Sequence, residues 1–352
     1  DVLLVRAGTY SGFACTKALR ILGEPGVHCS GVSTWSGSSA GSVGVLTDFV
    51  FDTTGMLTVS NCQGPMVLQR FEGSLKIDAS SDVRMLDSST RVRLVVTGSR
   101  LELARTSCLG YSPGKSTQPS DGYPALSVMS GFAHIALSDL RGGDGGDLKY
   151  DPSSTWPPGT GGPGLQLLAN GTAVVVGTPN HLIQGGDAGE DPTLLFCGEG
   201  GNGADVASFG GNLWHSGVTF LGGSSLHPAC ANGQPIVGSN VAVVPEDPSL
   251  ELLGATTPGA TITFRVRGPA GSNATIRLGR TPIVAADGLA QIEQLTQKLR
   301  VLNVGVIPAS GQADRNFTLP VVQPGFLFVA QAELTLPDTT LRRSNSTPIV
   351  VR

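Results

Sequence analysis

Short apolar segments recur along the first third of the chain at a nearly constant interval. They begin near Leu57, Val67, Leu75, Val83, Val92 and Leu101, eight to ten residues apart. Each alternates apolar and polar positions, as in Leu75-Lys76-Ile77-Asp78 and Leu101-Glu102-Leu103-Ala104. A period of two buries one face of a strand and wets the other. The intervals are too short for crossover helices and lack the Asn-Gly pairs of regular hairpins. Such spacing fits either an antiparallel sandwich or a coil with three strands per turn.

Internal repetition favours the coil. Residues 99–110 (SRLELARTSCLG), 131–142 (GFAHIALSDLRG) and 211–222 (GNLWHSGVTFLG) align without gaps, and 171–185 (GTAVVVGTPNHLIQG) adds three residues. Their closing glycines, Gly110, Gly142, Gly185 and Gly222, are unevenly spaced, as loops inserted at one corner of a solenoid would make them. The inserted segments 111–122 and 147–164 are polar and turn-rich. After residue 243 longer alternating strands take over: 249–254, 261–267, 275–278, 299–306, 317–321, 326–336 and 348–351. Seven strands separated by turn signals predict an immunoglobulin-like β-sandwich. Residues 287–299 fit a short helix or a surface insertion. The expected organisation is all-β: a parallel β-helix over 1–243, a linker at 244–248 (VPEDP), and a sandwich over 249–352.

Composition agrees. Aromatic residues are 5% and charged residues 14%, while 49 residues are glycine. Small aliphatic ladders fill a narrow coil, and glycine and asparagine suit its corners, where φ is positive. There is no Gly-X-Y period, which excludes collagen. A net charge of −4 leaves no basic footprint for nucleic acid. No apolar run reaches the roughly 20 residues of a membrane-spanning helix. The chain opens directly on a strand, Val2 to Val5, without a signal peptide. The expectation is that a leader, with a first coil, precedes this sequence.

The opening DVLLVRAGTYSGF followed by ALRILGEPG (18–26) resembles the first coil of secreted bacterial pectin-lyase-like proteins. Ala7-Gly8-Thr9-Tyr10 stands where that family often has Pro-Gly-Thr-Tyr. The resemblance covers about residues 1–240 and implies a right-handed parallel β-helix with three strands per coil. It implies nothing about activity. The last third resembles the small β-sandwich modules that follow secreted bacterial domains.

Six cysteines, Cys15, Cys29, Cys62, Cys108, Cys197 and Cys230, show no metal-site spacing. An even number in a β-rich chain predicts disulfides and an oxidising compartment, with Cys15–Cys29 and Cys197–Cys230 the preferred pairs and buried free thiols the alternative. Gly142-Gly143-Asp144-Gly145-Gly146-Asp147 and Gly185-Gly186-Asp187-Ala188-Gly189-Glu190-Asp191 are candidate calcium corners. Their ligands would be Asp144, Asp147, Asp187, Glu190 and Asp191. Lys149 breaks the calcium repeat, Gly222-Gly223-Ser224 lacks the acid, and plain corners with solvated carboxylates are the competing reading. Calcium is the one cofactor these corners suggest.

Asp78, Asp82 and Asp87, with Arg84, Arg91 and Arg93, are ingredients of polysaccharide cleavage. The Asn-Thr-Asp, Asp-Asp and Gly-His-Gly motifs of polygalacturonases are absent, and no catalytic residue is assigned. His134 and His215 fall on neighbouring repeat positions and are expected to line one face. Trp156, in a proline-rich loop, is the candidate sugar contact. Asn170, Asn273, Asn316 and Asn345 carry Asn-x-Ser/Thr sequons. The expected function is a non-enzymatic, secreted or cell-surface structural protein that associates with itself through an open end of the β-helix. A protein that binds or cleaves extracellular polysaccharide is the alternative.

Overall fold

The computed structural model describes the chain apart from residues 81, 150–155, 192–195, 208–209, 226, 245–246, 280–281, 285–292, 296–297 and 352. Among the described residues every regular element is a strand. Two compact units emerge, Leu4–Ala242 and Val243–Arg352, the second counted with Asp1–Leu3.

In the first unit the chain visits long parallel sheets in succession, an arrangement compatible with a parallel β-helix. The first sheet stacks Arg20–Cys29, Gly44–Phe51, Met66–Gln69, Val83–Leu86, Arg100–Ala104, Phe132–Ala136, Thr172–Val176 and Asn212–Ser216. A second sheet begins at Ser89–Thr90 and continues through Ser107–Leu109, Asp139–Arg141, Leu182–Gln184 and Thr219–Leu221. The third runs from Ala14–Cys15 through Ser74–Asp78, Leu94–Thr97, Leu126–Met129 and Leu165–Leu168 to Ala204–Val206 and Ile236–Val237. The evenly spaced apolar segments are thus strands falling alternately in the third and first sheets. The aligned repeats hold in register: Arg100 pairs with Phe132, Phe132 with Thr172, and Thr172 with Asn212. The three extra residues of the long copy fall between Thr172–Val176 and Leu182–Gln184.

Period-two alternation builds the core directly. Leu57, Leu75, Leu94, Leu126 and Leu165 form one inward ladder of the third sheet, and Val59, Ile77, Val96, Val128 and Leu167 the next. All ten are buried to within 1%. Each such side chain contributes about 1.5–3 kcal/mol through apolar burial.

The corners meet the expectation that glycine and asparagine serve them only in part, with Asn61, Asn170 and Gly98 among their left-handed residues. Along the first sheet, Asp48, Arg70, Asp87, Arg105 and Leu137 are also left-handed, with φ of 49° to 60°, and Gly217 serves the last such corner. These turns stack their charges: Arg70 donates twice to Asp48 (2.7 and 3.1 Å), and Arg105 twice to Asp87 (2.7 and 2.9 Å). Bidentate guanidinium–carboxylate pairing offsets the left-handed cost that these residues carry. Serine side chains cap the neighbouring amides from one circuit to the next, Ser99 Oγ accepting from Ser80 N and Ser138 Oγ from Thr106 N.

The second unit is built of antiparallel sheets. Ser249–Leu253, Thr261–Arg267 and Gln312–Thr318 form one sheet, and Lys298–Val306, Asn273–Gly279, Leu327–Thr335 and Leu341–Val350 another. One hydrophobic cluster, including Leu250, Phe264, Ile276 and Phe328, draws on both. Within the segment expected as a helix or insertion, Glu293–Leu295 is a strand pairing with Pro282–Val284, and residue 298 begins the next strand. The rest of that segment, and Pro245 and Glu246 of the linker, lie outside the described residues.

Candidate functional site

The glycine-rich segments are more than corners. Four outgoing segments follow the second sheet: LGYSPG from Leu109, RGGDGG from Arg141, QGGDAG from Gln184 and LGGSS from Leu221. Four returning segments precede the third: DGYPAL from Asp121, TGGPGL from Thr160, EGGNGA from Glu199 and ANGQPI from Ala231. They stack as two facing layers with a three-residue hydrogen-bond period. Gly142, Gly145 and Leu148 donate to Gln184, Asp187 and Glu190 of the next outgoing segment. Gly143, Gly146 and Lys149 donate across to Tyr123, Ser120 and Ser116. Three residues per turn with all hydrogen bonds made laterally is the habit of polyproline-II-type chains.

Space, rather than φ, demands glycine here. A Cβ at Gly186 would lie 2.1 Å from the Gly143 carbonyl oxygen, and one at Gly222 would lie 1.8 Å from that of Gly233. Neither glycine has a positive φ. This corrects the reading of these glycines as turn formers.

The third position of each triplet faces outward and carries the acids. Asp187 N donates to Asp144 Oδ1 and Glu190 N to Asp147 Oδ1, both at 2.9 Å. Ser224 gives both its amide and its hydroxyl to Asp187 Oδ1 at 2.7 Å. Arg141 lies 3.3 Å from Asp144 and 3.5 Å from Asp187. Burial opposes ionisation of Asp187, but Ser224 and Arg141 hold its carboxyl below the ordinary value. The calcium candidates Asp144 and Asp187 are therefore brought together around a guanidinium, and Asp147 pairs off with Glu190. Asp191 is buried and accepts from Phe196 N at 2.8 Å. With Glu190, Ser225 and His227 it lines a cleft beside Cys197. Among the described residues no group of three or more His, Cys, Asp or Glu converges as a metal-binding set.

Cys197 and Cys230 form a disulfide that joins successive returning segments. It points to an oxidising environment. Cys15, Cys29, Cys62 and Cys108 are free and buried, so the expected Cys15–Cys29 bond is not made. The reason lies in the sheets: Cys15 belongs to the third and Cys29 to the first, each packed in the apolar core. Burial, with the nearby Asp52, pushes the Cys29 thiol up, and burial pushes Cys108 up to about 12 despite a hydrogen bond with Thr90. Thiolate is the reactive form. Native protein at pH 8 is therefore expected to leave all four thiols unmodified by iodoacetamide, with four equivalents taken up only after denaturation. Mass spectrometry of intact protein reads this directly.

A second polar cluster lies on the first sheet. Arg84, Glu102 and His134 are register partners on the face opposite the Leu101 and Leu103 ladder. Alternation predicts a wet face, yet Arg84 is 1% exposed and Glu102 2%. Arg84 donates to Asp82 at 2.6 and 2.9 Å, Arg100 lies 3.9 Å from Asp82, and His134 lies 3.8 Å from Glu102. Arg100 also stands over the Phe132 ring. Burial pushes Glu102 up, but His134, Arg84 and Arg100 outweigh it and hold the carboxyl at about 2. Sequence reasoning picked out Asp82 and Arg84 but missed Arg100 and Glu102. Their signal was present in the repeat, since Glu102 aligns with His134.

The remaining candidates scatter. Asp78 ends a strand of the third sheet, Asp87 pairs with Arg105, and Arg91 pairs with Glu72. The set considered for polysaccharide cleavage is therefore not one site. His134 and His215 do not share a face. His134 follows Glu102, whereas His215 aligns with Val175 in the core column and packs on Phe220 at 5.0 Å. Trp156 is exposed. Asn170, Asn273 and Asn316 are exposed, while Asn345 is buried with its amide bonded to Leu250. No protein-family model matches the chain, and no curated protein matches it.

Proposed function

We propose that the protein is a non-enzymatic extracellular structural or surface protein that associates with further copies of itself. In this reading Leu4–Ala242 is a right-handed parallel β-helix of the pectin-lyase-like kind, and the second unit is an immunoglobulin-like sandwich. The observation that carries it is where the polar side chains are spent. Asp144, Asp147 and Asp187 accept amides from the following circuit, and Asp48–Arg70 and Asp87–Arg105 tie adjacent turns. A catalytic acid or base needs a lone pair or proton aimed at substrate. These groups instead hold one circuit to the next, as a load-spreading scaffold requires. The disulfide supports the extracellular assignment.

Negative-stain electron microscopy across a concentration series tests the reading. Ordered assemblies that grow with concentration are the expected result. Particles that stay monomeric throughout remove self-association. New unsaturated chain ends after incubation with acidic polysaccharides overturn the non-enzymatic role.

A further inference from the structure

The two glycine-rich layers are closed at both ends by side chains. In the last segment Pro235 occupies the position from which Gly164 and Gly203 donate, so no N–H is offered there. Asn232 Oδ1 takes the amide of Ser225 at 2.7 Å. In the first segments Tyr111 and Tyr123 replace the glycines of the later ones, Gly143, Gly186 and Gly223 on one layer and Gly162, Gly201 and Gly233 on the other. A Cβ at any of those six glycines would lie 1.8–2.4 Å from a carbonyl oxygen of the preceding segment. The side chains of Tyr111 and Tyr123 therefore project out of the stack, where the preceding circuit turns through residues 91–93 without a glycine-rich segment.

Any Cβ closes the stack, so closure alone does not call for aromatic rings. Both rings are largely uncovered, 46% and 42% exposed, in a chain with 5% aromatic residues. Their centroids are 5.8 Å apart at 63°, an angled pair, and the Arg93 guanidinium sits 5.8 Å from the Tyr123 centroid.

The same end presents acceptors without donors. In later segments Thr160, Pro163 and Asp187 accept from Gly122, Ala125 and Gly145 of the segment before. Their first-segment equivalents are the carbonyls of Asp121, Pro124 and Ser112, of which Asp121 and Ser112 belong to exposed residues and Pro124 is buried. Among the described residues no backbone N–H donates to these three.

Apolar ring faces beside a row of acceptors call for a ligand with a C–H face and several O–H donors. A proline-rich peptide supplies the face but few donors, and an anion meets the negative ends of the carbonyl dipoles. We propose that this end binds a neutral hexopyranose oligosaccharide. Its sugar faces stack on Tyr111 and Tyr123, and its hydroxyls donate to the Ser112 and Asp121 carbonyls. The site goes beyond the scaffold role and does not depend on self-association.

Calorimetric titration of the whole chain with cellohexaose, maltohexaose and mannohexaose tests it. At least one binds, and Tyr111→Ala and Tyr123→Ala each weaken that binding about tenfold or more. Tyr111→Phe and Tyr123→Phe, which keep the ring, stay within about threefold of the parent. Saturation-transfer NMR on the unsubstituted protein finds the strongest signals on sugar C–H protons, a readout no folding defect can produce. Absence of binding by all three up to about 10 mM overturns the proposal. Binding undiminished in both alanine variants also overturns it.

Discussion

Gly186→Ala is expected to lower the urea midpoint by an amount equivalent to about 3 kcal/mol or more, with the slope unchanged. The added Cβ would lie 2.1 Å from the Gly143 oxygen and 2.4 Å from its carbonyl carbon. Both atoms are backbone, so rotating a side chain cannot relieve the overlap. Retreat is also blocked, because Gly186 donates to the Gly162 carbonyl and Gly201 donates to its own. Moving it would break hydrogen bonds on both sides. Gly114→Ala is the control. Nothing lies within 4 Å of its added Cβ, and its φ is not positive. That substitution should be neutral or stabilising by up to about 1 kcal/mol, through a less flexible unfolded chain. Equal effects at the two positions would refute the tight two-layer packing.

Arg84→Ala is expected to cost about 3–5 kcal/mol at neutral pH, because it strips the buried Asp82 carboxylate of its nearest cation. Arg84 is 1% exposed and sits against Asp82 at 2.6 Å, with Glu102 as its neighbour in register. The pH dependence gives a second readout. Glu102 is held at about 2, below its ordinary 4.5, so its stabilisation is complete above about 4.5. It is lost as pH falls through about 2. Without Arg84 the Glu102 carboxyl takes up its proton at higher pH, which relieves buried charge. The gap between variant and parent should therefore narrow steadily on acidification from pH 5 towards pH 2. Parallel denaturation curves at several pH values measure it. A gap that stays constant over that range would place the loss in packing rather than charge.

Much of the first unit was legible in the chain itself. The period-two segments and the gapless repeats located the strands and their register, because cross-strand ladders place equivalent residues side by side. The antiparallel strands of the second unit were legible for the same reason, to within a few residues at most of their ends. A triplet period stands in RGGDGG and QGGDAG too, but the hydrogen bonds that give it meaning run between segments far apart in sequence. Local pattern could not distinguish a turn glycine from one hemmed in by a neighbour's carbonyl.

Tertiary structure alone decided the rest. A one-residue offset within the repeat sends His134 and His215 to opposite faces, since side chains alternate along a strand. Glu102 and Arg84 lie on the face that alternation marks as wet, and only the folded chain buries them together. The acids of the glycine segments offered ligands by composition, and stacking turned them into amide acceptors. Cysteine parity predicted disulfides, yet only Cys197 and Cys230 are bonded, and the other four cysteines lie unpaired in the core. In each case the sequence determined which side chains repeat and how often. What each of them meets was settled by the circuit stacked above or below it, which is a neighbour in space and not along the chain.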